Sequence, residues 1–143
     1  MGERLSLNPN DSIELVASSP EELEVEATYA PAGSPPPAHV HPAQAERFEV
    51  LSGSVRAVVD GEEQELEEGD ELRIAAGQVH QMWNYGGEPA RVRWIISPAG
   101  RTEEWFCTLD RVLGPEGAVA KGEEVDFATL LEEYSDVFRL RLD

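Results

Sequence analysis

The stretch "GSPPPAHVHPAQAERFEVLSG", residues 33–53, decides how this chain is read. Pro35, Pro36 and Pro37 hold the approach extended, because proline fixes φ and has no N–H to give a helix. His39 and His41 stand two positions apart, so on a strand both imidazoles point to one side while Val40 points to the other. Pro42 begins a turn, and a strand resumes near Glu46. A hairpin-like return would carry that carboxylate back beside the two histidines.

The third and last histidine, His80, follows "GDELRIAAGQV", residues 69–79, a strand and turn able to deliver it from a neighbouring strand. Imidazoles converging with one carboxylate inside a small barrel suit a divalent first-row metal: iron, manganese, nickel, zinc or copper. Two or three imidazoles and one carboxylate would take part, and with four protein ligands a six-coordinate ion keeps about two positions open for water, oxygen or a small-molecule substrate. A lone histidine is usually structural, but here every histidine falls on a ligand position and none is left over. Glu46 by itself is one glutamate among many in this chain, and Glu49 and the glutamates between 62 and 71 read as solvated charge.

Outward from this stretch, two-residue alternation runs to about residue 97. In "ELEVEATYA" the residues Leu23, Val25, Ala27 and Tyr29 share one face. Val92, Trp94 and Ile96 do the same in "ARVRWIIS". Asp60-Gly61 between two such runs signals a tight hairpin. Many short strands with regular turns read as an antiparallel sandwich or barrel, an all-β fold. Parity turns Phe48, Val50, Met82 and Trp94 inward, mainly as core, and Trp83 and Arg93 outward. Tyr29 and Gln44 stand near the site, with structural roles the simpler assignment.

The last third changes period. "RTEEWFCTLDRVL" and "DFATLLEEYSDVF" carry apolar residues at helical spacing, the second with Phe127, Leu130, Leu131 and Tyr134 on one side and Asp126 or Thr129 at its start. No linker separates this tail, so one domain spanning residues 1–143 is expected, its two short helices packed over an edge or mouth of the β-body.

The formal net charge is −18 over 143 residues, with one lysine, Lys121. Such a surface repels nucleic-acid phosphates and anionic membranes, and speaks to solubility rather than chemistry. No apolar run reaches the length of a membrane span. The N-terminus lacks a signal-peptide pattern, so a cytoplasmic location is expected and the acceptor-like "NDS" at Asn10 is discounted. The loose myristoylation match "MGERLS" is discounted as well. The single cysteine, Cys107, excludes an intramolecular disulfide and is expected to be a buried, inert thiol.

At Gly33, His39, His41, Glu46 and Gly53, and again at Gly69, Gly77, His80 and Asn84, the sequence resembles the two motifs of the cupin superfamily, in order and at the family spacing. One departure is visible: Ala75 stands where the family usually has proline. The resemblance covers residues 20–98 and leaves the tail outside. It implies a double-stranded β-helix, a jelly-roll-like barrel of six to eight strands, with the metal inside on His39, His41, Glu46 and His80. Asn84 would shape the turn after His80. Small cupins with this ligand set are similar to dioxygenases acting on enediol, diketone or flavonol-like substrates, with Glu46 as a proton relay. Metal-dependent isomerases share the site, and a non-catalytic metal or small-molecule binding module is the other reading. A homodimer is expected by the same resemblance, through the edge "ERLSL" or outward-facing Trp83.

Overall fold

A computed structural model describes residues 2–141. The chain forms β1 (Arg4–Ser6), β2 (Ser12–Ser18), β3 (Leu23–Tyr29), β4 (His39–Val40), β5 (Ala45–Ser52) and β6 (Ser54–Val59). There follow β7 (Glu62–Glu67), β8 (Glu71–Ile74), β9 (His80–Trp83), β10 (Ala90–Ser97), α1 (Thr102–Leu113), α2 (Phe127–Glu133) and β11 (Arg139–Leu140). The strands build two antiparallel sheets, ordered β1-β2-β3-β10-β5-β8 and β11-β4-β9-β6-β7. This is the expected all-β double-stranded β-helix with two short C-terminal helices. No helix among the described residues is long and apolar enough to cross a membrane.

The alternation read from the sequence is the burial pattern of the strands. Leu23, Val25 and Ala27 of β3 and Val92 of β10 are fully buried, and Phe48 and Val50 of β5 nearly so. Asp60 and Gly61, with φ of 50° and 84°, close the β6–β7 hairpin, where Val59 opposes Glu62. Two glycines are required by close approach. At Gly53, φ is 77° and a Cβ would meet the Pro89 carbonyl oxygen at 2.6 Å. At Gly33 it would meet the Asn84 carbonyl oxygen at 3.0 Å, the same oxygen that accepts the Gly33 N–H at 2.7 Å.

The six-stranded sheet is wider than its partner, and two materials cover its inner face. Phe48, Val50, Val92 and Ile74 pack with Val55 and Ala57 of the opposite sheet. Leu5, Ile13, Leu23 and Ile96 instead pack with Trp105 and Phe106 of α1, and with Tyr134 and Val137. The tail therefore completes the core. In α1, Glu103 and Glu104 lie in the first turn and Arg111 in the last, each sign complementing the helix dipole. In α2, Asp126 caps by accepting from the Thr129 N–H at 3.1 Å.

Several expectations are corrected. Residues 42–44 are not a hairpin return: β4 and β5 belong to different sheets, and the turn crosses from one to the other. Cys107 is exposed, because α1 turns Trp105, Phe106 and Val112 inward and leaves position 107 on the solvent side. Partial burial and then the neighbouring acids Glu3, Glu103 and Asp110 raise its pKa, which favours the protonated thiol. Phe127 is 45% exposed and does not join Leu131 and Tyr134 against the core. Strand β11 was not anticipated.

Candidate metal centre

The crossing turn sets the site. Its histidine half lies on β4, just after it and on β9: His39 is the direct antiparallel partner of His80, and His41 follows the end of β4. Its carboxylate half, Glu46, faces them from β5 in the other sheet. The ligating nitrogens of His39, His41 and His80 lie within 4.8 Å of one another. Glu46 Oε1 stands 3.0 Å from His80 Nε2 and 3.2 Å from His41 Nε2. The tertiary structure thus brings all four sequence-predicted residues together. Glu46 is 4% exposed and His80 3%.

Each imidazole is oriented by a backbone carbonyl at Nδ1. His39 donates to Pro37 at 3.1 Å, His80 to Gln78 at 3.0 Å, and His41 to Val137 at 2.8 Å. A carbonyl oxygen only accepts, so each Nδ1 carries the hydrogen and each Nε2 is the nitrogen left for the site. The approaches to Glu46 Oε1 are close without hydrogen-bond geometry: that oxygen and His41 Nε2 are buried with no hydrogen-bond partner. Bare nitrogen lone pairs facing an orphaned carboxylate oxygen are mutually repulsive, and a divalent cation resolves this. The residues fit a metal.

At His39 and Glu46 the electrostatics agree with that fit. Burial, followed by the neighbouring His80 and His41, lowers the His39 pKa to about 4, keeping the ring neutral. Burial alone would raise Glu46, but the close approach of His80 and His41 and a bond from Trp94 outweigh it and hold the carboxyl below its ordinary value. Burial would also lower His80, yet without a metal Glu46 holds it above its ordinary value, so at this nitrogen a proton competes with a metal.

Three supporting contacts were outside the sequence reading. Trp94 Nε1 donates to Glu46 Oε2 at 2.7 Å. Phe138 stacks on His39 with ring centroids 4.8 Å apart and planes 25° from parallel. The Val137 carbonyl holds His41. The inward parity of Trp94 signalled its position though not its bond. The other two come from the tail and left no local signal.

The remaining candidates divide. Gln44 is structural: the two Nε2 hydrogens are shared among Pro98 O, Ala99 O and Thr102 Oγ1, which lie 2.8, 2.7 and 2.6 Å away. Asn84 is buried and ties the turn after β9, donating to the Tyr29 and Glu88 carbonyls and accepting from the Gly86 N–H. At the motif departure, the Ala75 N–H that a proline would lack donates to Gln78 Oε1, and Gln78 Nε2 donates to Asp60. That network braces the turn in place of a ring. Trp83 is half-buried and borders the cavity.

A cavity of about 670 Å³ opens from the four residues. Aromatic rings wall it, among them Phe48, Trp94, Phe106 and Phe138, and its ionisable lining comprises Asp11, Glu46, Tyr29 and the three histidines. Among the described residues lining it, none is lysine or arginine. This volume suits a small organic ligand.

Residues 25–96 match the family model described as a cupin domain. Over 84 residues the chain is 37% identical to the tetracenomycin polyketide synthase protein TcmJ of Streptomyces glaucescens. That match covers 58% of this chain and 56% of the relative, little more than half of its length. Among solved structures it is similar to an RmlC-like cupin from Shewanella frigidimarina, with a TM-score of 0.64, 16% identity, and coverage of 72% of this chain and 89% of that one. It is also similar to a sugar phosphate isomerase of the same superfamily from Silicibacter pomeroyi, with a TM-score of 0.57, 22% identity, and coverage of 66% and 70%.

Proposed function

Because the chain belongs to the cupin family, we propose that it is a metal-dependent oxidoreductase of the dioxygenase type, acting on an uncharged, largely aromatic small molecule. His39, His41, Glu46 and His80 would hold one divalent ion, which when bound supplies a Lewis-acidic, redox-active centre with open positions. A dioxygenase places both atoms of oxygen in its substrate, so no separate reductant is required. Within the chain, Trp94 bonds Glu46 and joins the histidines in keeping it ionised, the aromatic wall excludes water and orients a flat substrate, and Glu46 relays a proton.

The observation that carries the substrate class is the wall itself, rich in aromatic rings and without a cationic side chain among its described residues. A sugar phosphate would bring two negative charges to a cavity that already holds Asp11 and Glu46, on a chain of net charge −18. That disfavours an isomerase of phosphorylated sugars, and the structural likeness to one, at 22% identity, speaks for fold alone. The likeness to a protein named for polyketide synthesis supports a substrate of fused or phenolic rings bearing neighbouring oxygens.

The test is metal analysis of protein purified without chelator, then oxygen consumption with diketone, flavonol-like and hydroxylated polycyclic substrates. Stoichiometric iron, manganese, nickel or copper and oxygen uptake with a ring substrate are expected. Bound metal without turnover of any substrate, together with tight binding of one of them, would favour a non-catalytic binding module. His41→Ala should lose most of its metal while the barrel stays folded by circular dichroism.

A further inference from the structure

Two of the three histidines take their Nδ1 partner from two residues away, at Pro37 and Gln78. His41 takes its partner from Val137, 96 positions further along the chain. The next residue, Phe138, stacks on His39 and meets His41 edge-on at 6.1 Å. Strand β11 then pairs with β4, Arg139 opposite Val40 and Leu140 opposite His39, and the Arg141 N–H donates to the Ala38 carbonyl at 2.8 Å. One short segment therefore touches both histidines of the first motif and the strand that carries them.

The segment is held from outside the site. Tyr134 and Val137 are buried in the core shared with α1, and the Tyr134 hydroxyl meets Thr108 Oγ1 at 3.0 Å. Arg101 bonds both carboxylate oxygens of Asp136, at 2.6 and 3.0 Å, and donates to the Glu133 carbonyl.

We infer that residues 134–141 form a strap that positions the metal ligands: the Val137 carbonyl selects the His41 tautomer and the Phe138 ring fixes the plane of His39. The inference rests on the metal-binding reading above. Val137 and Phe138 are positioning residues, acting through the imidazoles. Without the strap, His41 is free to move its hydrogen to Nε2 and turn the wrong nitrogen inward.

The experiment uses the full chain. In metal-free protein, long-range nitrogen–proton NMR of the histidine rings reads the tautomer directly, and His41 should carry its hydrogen on Nδ1. Zinc affinity, from competition with a colorimetric chelator, should fall by about 10–100-fold in Phe138→Ala. Phe138→Tyr, which keeps the ring, should bind zinc as the parent does, and the cobalt absorption spectrum should change shape only in Phe138→Ala.

A parent that binds zinc while Phe138→Ala binds it equally well overturns the strap and leaves the metal centre standing. A parent that binds no metal overturns the metal centre instead, and the His41 tautomer still tests the strap. Hydrogen on Nε2 of His41 in the folded parent overturns the strap even if Phe138→Ala fails to fold.

Discussion

Trp94 gives Glu46 its one well-formed hydrogen bond, at 2.7 Å, while its indole ring lies 5.3 Å from Phe48 and 5.2 Å from Phe106. Donation to the second carboxylate oxygen leaves the first turned toward the histidines. Trp94→Phe removes the donor and keeps most of the aromatic packing. Metal affinity should fall by about tenfold, the range expected when an outer partner of a ligand is lost. A chelator competition with parent and variant checks it, and equal affinities would show that packing alone orients Glu46. Ala75 shows the same economy of local chemistry: a turn usually stiffened by proline is braced by an amide that joins Ala75 to Asp60.

Among the elements, the tail is where charge bears on structure. Asp136 is held below its ordinary pKa of 3.8, chiefly by the bond from Arg101. A carboxylate with a depressed folded pKa contributes stability that is present above the unfolded value and lost as pH falls through the folded one. The pair is exposed, so its contribution is small and sensitive to salt. Asp136→Asn should therefore melt below the parent at pH 5, and the gap should close as pH falls below 3.8. Melting curves across that window decide it. A gap that does not change with pH would mean that Asp136 acts through packing.

At the scale of the whole molecule, a net charge of −18 on 143 residues is a self-repelling surface around a well-packed interior. Raising salt from about 10 to 300 mM shortens the screening length from about 30 Å to less than 10 Å. The melting temperature should rise by a few degrees, roughly 1 kcal/mol for a chain of this size. A melting temperature that is flat or falls with added sodium chloride would show that the ion pairs of Arg91, Arg93 and Arg101 outweigh the repulsion. The same charge balance reaches inward, since the cavity holds Asp11 and Glu46 and no described cationic side chain lines it.

The β-body and the four candidate ligands were legible in the residues themselves. Strand parity is a local, two-residue property, and His39, His41, Glu46 and His80 stand out by type and spacing before any folding is considered. Both helices were legible for the same reason, through periodicity, although the exposed Phe127 and Cys107 show that periodicity does not say which residue at the margin of a face is covered. Only the tertiary structure decided that residues 42–44 change sheets, that Trp94 bonds Glu46, and that the tail returns as β11 to hold His41 through Val137. The last two relations join positions 48 to 101 residues apart through a single hydrogen bond or a two-residue strand. Such contacts leave no repeat or periodic pattern in the chain, because the packing of the whole core, rather than any neighbour in sequence, chooses the partners.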